Sequence, residues 1–201
     1  MAIFAMTELE AVNIILQTIG EAEVTSIEDI TIEDAQMALS TLRQVSREFQ
    51  SQGWHFNTDY DYPLTVNVDN KIQYPTTAAH VDPMPDENYD LVKRGDFLYD
   101  RKNRTYVFPA STSIDCTVIW LLDFEDMPQT AREYVTYRAA RRFAKNVMGD
   151  EATVQYSLQD EQQARAHFIA DEARRSDHNM VTGSWSTARM FYRRRGLIGR
   201  S

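Results

Sequence analysis

The sequence predicts an α+β protein: a mainly α-helical four-helix domain, a small antiparallel β domain inserted in it, and an extended C-terminal tail. Three observations carry this reading. In residues 7–19, 31–52 and 127–176, apolar side chains recur at spacings of three and four, which places them on one helix face. Between residues 58 and 124 that period gives way to short alternating segments bounded by Pro, Gly, Asn and Asp, as in strands and turns. After Ser176 neither period continues. The expected division is 1–57 with 125–179 as a discontinuous helical domain, 58–124 as the inserted β domain, and 180–201 as the tail.

The first helix covers residues 7–19, with Leu9, Val12, Leu16 and Ile19 as its apolar stripe. Thr7 can cap it, and Glu8 and Glu10 sit where the helix dipole favours negative charge. Gly20 ends it. The second helix starts near Thr31 and runs to Gln52, with Ala35, Leu39, Leu42, Val45 and Phe49 inward. Gly53 stops it.

In the β region, residues 63–68 and 71–74 read as a hairpin turning at Asp69-Asn70. Residues 75–88 hold Pro75, Pro83 and Pro85 and read as a loop. Residues 89–94 and 97–101 read as a second hairpin around Gly95-Asp96, and 105–108 as a short strand. Residues 114–122 form the strongest strand. Ile114, Cys116, Val118 and Trp120 share one face, and Ile119 and Leu121 make the other apolar, as in a central or covered strand. Val118 and Trp120 are expected to centre a small core.

The third helix opens at Pro128, whose missing N–H would have no helical partner there. Ala131, Tyr134, Val135, Ala139, Phe143 and Val147 mark its buried face, while Arg132, Arg138, Arg141, Arg142 and Lys145 point elsewhere. Gly149 suits a left-handed helix end. The fourth helix carries Val154, Leu158, Phe168, Ile169 and Ala173. The two helical pairs each have an apolar face to bury, so they are expected to pack on each other. Gly53, Trp54, Phe56, Met127 and Pro128 mark the junction between the helical and β parts.

Composition narrows the function classes. Cys116 is the single cysteine, so no internal disulfide forms, which fits folding in a reducing cytoplasm. No apolar run approaches the roughly 20 residues of a membrane span. The opening residues carry no basic segment and read as no signal peptide. Net charge is −9 and unevenly spread. Residues 1–42 contain no Lys or Arg but eight acids, whereas residues 189–201 carry Arg189, Arg193, Arg194, Arg195 and Arg200 and no acid. Such ends can complement each other between copies of one chain.

Chemistry-bearing motifs are scarce. His55, His80, His167 and His178 lack neighbours at zinc-site spacing, and one cysteine makes no thiolate cluster. Gly183-Ser184-Trp185-Ser186 lacks the second glycine of a nucleophile elbow, and no phosphate-cradling glycine loop occurs. No cofactor, metal or catalytic residue is therefore assigned. Asp59, Asp61, Glu125 and Asp126 could supply the carboxylate pair of a glycan hydrolase, which needs a separation of roughly 5–10 Å across a cleft. With 30 acids in the chain, such a pair also arises by chance. The tail mixes rings with guanidinium groups, and Trp185, Arg189, Phe191, Tyr192, Arg193, Arg194 and Arg195 are its candidate partner contacts. Nucleic acid is a possible target for that mixture; the acidic remainder argues against it.

Several stretches together resemble a known family. They are Glu8-Leu9-Glu10-Ala11-Val12-Asn13 with Ile19-Gly20-Glu21, Gln52-Gly53-Trp54-His55-Phe56-Asn57, Leu98-Tyr99-Asp100-Arg101, and Asp123-Phe124-Glu125-Asp126-Met127-Pro128, followed by Phe143 and Gly149. In this order and spacing they resemble the tail tubular protein A family, the adaptor or gatekeeper proteins of short-tailed bacteriophages of the Autographiviridae. The resemblance implies a structural virion protein of the phage tail, assembled in the host cytoplasm, rather than an enzyme. It implies a homo-oligomeric ring of twelve copies beneath the portal protein. The ring would join the portal to the nozzle protein (tail tubular protein B), help to seat the tail fibres, and let genomic DNA pass during ejection without binding it. An acidic chain suits such a conduit, because it repels phosphate. A virion glycan hydrolase is the alternative.

Overall fold

The computed structural model describes residues 5–28, 32–148 and 151–176. Two helices, α1 (Glu8–Gln17) and α2 (Glu33–Gln50), precede five strands: β1 (Thr58–Thr65), β2 (Ala78–Pro83), β3 (Leu91–Arg94), β4 (Phe97–Asp100) and β5 (Ser113–Trp120). Helices α3 (Gln129–Val147) and α4 (Glu151–Ser176) follow. Helices at both ends with antiparallel sheets between them make the fold α+β, as expected.

Thr7 caps α1 through a reciprocal box. Its hydroxyl accepts from the Glu10 N–H at 3.2 Å, and the Glu10 carboxylate accepts from the Thr7 N–H at 2.8 Å. The buried face of α1 is Ala11, Val12, Ile15 and Leu16; Leu9 is only half-buried. In α2, Ala38 faces inward in place of Leu39, which sits at the core's margin. Helix α3 lies in the middle, packed against α1, α2 and α4. Ala131, Tyr134, Val135, Ala139 and Phe143 are buried there as expected, but Val147 is exposed. Pro128 is the residue before the first helical one. In α4, Ala164 and Phe168 are buried, while Leu158 and Ile169 face solvent. Burial there follows the line that meets α3, where Arg141 pairs with the buried Glu161. Thr31, Gly149 and the Val154 side chain lie outside the described residues.

Arg132 corrects the outward assignment made for the α3 arginines. It is buried and collects three carbonyls: Nε reaches Met127 O at 2.7 Å, Nη1 reaches Met6 O at 2.7 Å, and Nη2 binds Glu125 O. Charge-assisted bonds to groups that would otherwise be orphaned make this burial tolerable.

The β region has a second buried cluster, including Leu64, Ile72, Leu91, Leu98, Ile114 and Val118, separate from the helical one. Strand β5 is central in a three-stranded antiparallel sheet of order β1-β5-β2, and β3-β4 form a hairpin around Gly95 (φ 64°). Trp120 is half-buried beside this cluster, its indole N–H donating to Asp59 at 2.7 Å.

Three expectations fail here. The turn at residues 67–71 forms, held by Asn67 Oδ1 accepting from Asp69 and Lys71 N–H, with Asn70 left-handed (φ 57°). Beyond the closing bond from Asn67 N–H to Lys71 O at 2.8 Å, however, its two arms form no ladder. β1 pairs with β5, and residues 72–74 run beside β4, with Leu98 N–H donating to Ile72 O at 2.9 Å. The expected loop at 75–88 contains β2. Its proline is tolerated because Pro83 ends an edge strand, where one N–H faces no partner. Residues 105–108 make only one bridge, Thr105 to Asp100, and no strand.

Cys116 lies fully buried in β5, and burial pushes its thiol up to about 12. The thiolate is the reacting form, so Cys116 should resist alkylation at pH 8. Labelling is expected to proceed no faster than unfolding. Native labelling as fast as that in denaturant would place Cys116 at the surface.

Candidate junction and inter-subunit surfaces

The chain passes between its helical and β parts twice, and both crossings are tied by buried amides. After α2, Gly53 takes φ +74°, and a Cβ there would lie 2.7 Å from Ile119 Cδ1. A one-turn 3-10 helix (His55–Asn57) then leads into β1. The Asn57 side chain donates to Gln50 O at 2.9 Å and Trp120 O at 2.7 Å and accepts from Trp54 N–H at 2.8 Å. Gln50 receives the returning strand: its Oε1 accepts from Leu122 N–H at 2.7 Å, and its Nε2 donates to Leu122 O at 3.0 Å. Gln50 is 1% exposed and Asn57 2%. Each amide therefore satisfies backbone groups where one element ends and the next begins.

Rings complete the junction. Trp54 stacks on Phe49 at 5.1 Å and meets Phe168 edge-on at 4.8 Å, and its indole N–H donates to Phe49 O at 2.9 Å. Phe56 lies 6.3 Å from Phe49 and 6.4 Å from Phe168. On the return side, Met127 is buried with Sδ accepting from Ser46 Oγ, and Pro128 O accepts from Arg132 N–H at 3.0 Å. Gly53, Trp54, Phe56, Met127 and Pro128 thus stand around the two crossings. Gln50, Asn57 and Arg132 were not legible as junction residues, since no periodicity separates a buried amide or guanidinium from an exposed one.

The outer faces of the helices differ in charge. On the α1 flank, Glu10, Glu21 and Glu23 are exposed, and Glu10 and Glu23 border a shallow groove of about 400 Å³ with Met6 and Ile14. Between α3 and α4 lies a groove of about 440 Å³, rimmed by Arg138, Arg141 and Arg165 over Phe49, Trp54 and Phe168. Glu48 pairs with Arg142 at 2.9 Å and more distantly with Arg138 at 3.6 Å. The hydrogen bond from Arg142 holds the Glu48 carboxyl below its ordinary range.

The acids considered for hydrolysis do other work in part. Asp59 receives the Trp120 indole, and Glu125 Oε1 accepts from Glu8 N–H at 3.1 Å. Asp61 sits at a left-handed position (φ 55°), and Asp126 lies in a short 3-10 turn. His80 pairs with Asp82 at the surface, and the His55 backbone N–H donates to Glu172. His178 and the seven tail contacts, Trp185, Arg189, Phe191, Tyr192, Arg193, Arg194 and Arg195, lie outside the described residues.

A family model described as tail tubular protein matches residues 9–178, which span both buried clusters and both crossings. The chain belongs to the tail tubular protein family. A curated relative, tail tubular protein A of Klebsiella phage KP34, is 29% identical over 158 residues, covering 78% of this chain and 82% of the relative. As a tail tubular protein, the chain is a structural component of a phage tail. The resemblance read from the Gly-Trp-His-Phe-Asn and Met-Pro stretches holds at this level. No helix among the described residues of this tail tubular protein is long and apolar enough to cross a membrane.

Proposed function

We propose that this tail tubular protein is a ring-forming adaptor that joins the portal to the tail nozzle and gives passage to DNA during ejection. The match over residues 9–178, which takes in both clusters and the junction, carries the reading. The name of the KP34 relative supports it, as does the net charge of −9, which disfavours DNA retention in a conduit. A ring of twelve copies, the tail fibre as a further partner, and assembly in the host cytoplasm belong to the same proposal. So does the division into a discontinuous helical domain (1–57 and 125–179), an inserted β domain (58–124) and a tail; the two separate buried clusters support it. The test is the mass of the assembly formed by the full chain, alone and with its portal. A ring in either case is expected, and a monomer in both would overturn the adaptor role.

The basic tail is assigned to contacts with a neighbouring copy or the portal. A chain ending at Asn179 is expected to keep its helical circular dichroism and melting temperature but to lose stable association. Assembly equal to that of the full chain would remove the tail from the interface. Purified protein is also expected to release no oligosaccharide from host surface glycans above background. Turnover abolished by changing a pair among Asp59, Asp61, Glu125 and Asp126, with folding intact, would replace the structural reading by the hydrolase.

A further inference from the structure

We infer that the groove between α3 and α4 is the docking site for the acidic α1 flank of a second copy of this chain. The inference rests on the ring reading above and adds to it the surfaces that meet. The groove is built to receive carboxylates beside an apolar side chain. Its rim carries Arg138, Arg141 and Arg165, and only Arg141 is closely matched, by Glu161. Arg138 is held loosely, sharing Glu48 at 3.6 Å with a better-placed Arg142. Arg165 is exposed and has no hydrogen bond or ion pair among the described residues. Beside these cations Ile169 is 42% exposed, and Trp54 is only half-buried. Aromatic and arginine side chains together are the composition of interface anchors.

The occupant follows from charge and placement. Glu10 and Glu23 border the half-buried Ile14 on the α1 flank, Glu21 is exposed two residues before Glu23, and no Lys or Arg occurs in residues 1–42. That surface offers the carboxylates and the apolar side chain that the groove lacks. Within one copy α1 and α4 each pack mainly on α3, which lies between them in the helical layer. Two unlike, complementary surfaces on different flanks form a heterologous contact, which closes into a ring when the rotation between copies allows. The arginine-rich tail is the wrong sign for this groove.

The test uses charge reversal in the full-length chain, followed by sedimentation velocity at about 0.15 M and 0.5 M salt, alone and with the portal. Arg138→Glu with Arg165→Glu should weaken self-association about tenfold or more at the lower salt, and Glu21→Arg with Glu23→Arg should do the same. All four changes in one chain should restore association to within about threefold of the unaltered chain, with melting temperatures unchanged throughout. Restoration is the reading that a merely destabilised fold would not produce. Groove variants that assemble like the unaltered chain would overturn the docking site and leave the adaptor role standing. Failure of the combined variant to recover would show that these two surfaces do not meet. Loss of portal attachment with self-association intact would assign the groove to the portal instead. An unaltered chain that stays monomeric in every condition would overturn both the site and the adaptor role.

Discussion

Replacing Phe49 with alanine should destabilise the protein by about 3–5 kcal/mol, the range for emptying a well-packed aromatic site. Phe49 is fully buried at the end of α2 and meets four other rings. Trp54 and Phe56 stack near it at 5.1 and 6.3 Å, while Tyr134 and Phe168 approach edge-on at 5.3 and 5.0 Å. These rings come from α3, α4 and the first crossing, so one side chain holds elements that are far apart in the sequence. Edge-to-face and offset pairs add to the simple burial term. The surroundings cannot collapse to fill the space, because Trp54 is anchored by its indole N–H and Tyr134 and Phe168 sit on separate helices. Equilibrium denaturation followed by far-ultraviolet circular dichroism measures the effect. A loss under about 1 kcal/mol would mean that the ring cluster does not carry the bundle.

Asn57→Leu should cost about 2–4 kcal/mol and loosen the coupling between the two cores. Leucine keeps the branched outline of asparagine but is bulkier and offers no polar atom. It would leave Trp120 O and Trp54 N–H without the partner they have at 2.7 and 2.8 Å, while Gln50 O keeps only the Gly53 N–H at 3.1 Å. Each buried group left unpaired costs roughly 1–3 kcal/mol, reduced where water or relaxation reaches it. The consequence is more than lost stability, since Asn57 links the end of α2 to the end of β5. In the variant, the helical signal at 222 nm and the tryptophan fluorescence are expected to report separate midpoints, whereas they coincide in the unaltered chain. A single shared transition with unchanged stability would show that Gln50 alone suffices as the clamp.

The sequence by itself determined the elements whose evidence is local. The Thr7 cap, the inward Ala131, Tyr134, Val135, Ala139 and Phe143 of α3, the second hairpin at Gly95-Asp96 and the central place of β5 all follow from spacing or from one residue's chemistry. The family was legible too, and the match over residues 9–178 bears it out. Only the tertiary structure decided which strands pair. The turn at Asn67 was readable, but β1 takes β5 as its partner, with Thr58 facing Ile119 and Thr65 facing Ser113, a pairing of remote segments that no local pattern specifies. It also decided where polar side chains go. Arg132, Gln50 and Asn57 look like surface residues in the sequence, yet each is buried where backbone groups from a distant crossing need a partner. The same holds for the groove between α3 and α4, whose arginines become a site only when two helices set them over one aromatic floor. Periodicity reports which side chains share a face. What lies opposite that face, and which polar groups it leaves unpaired, is settled only when remote segments meet.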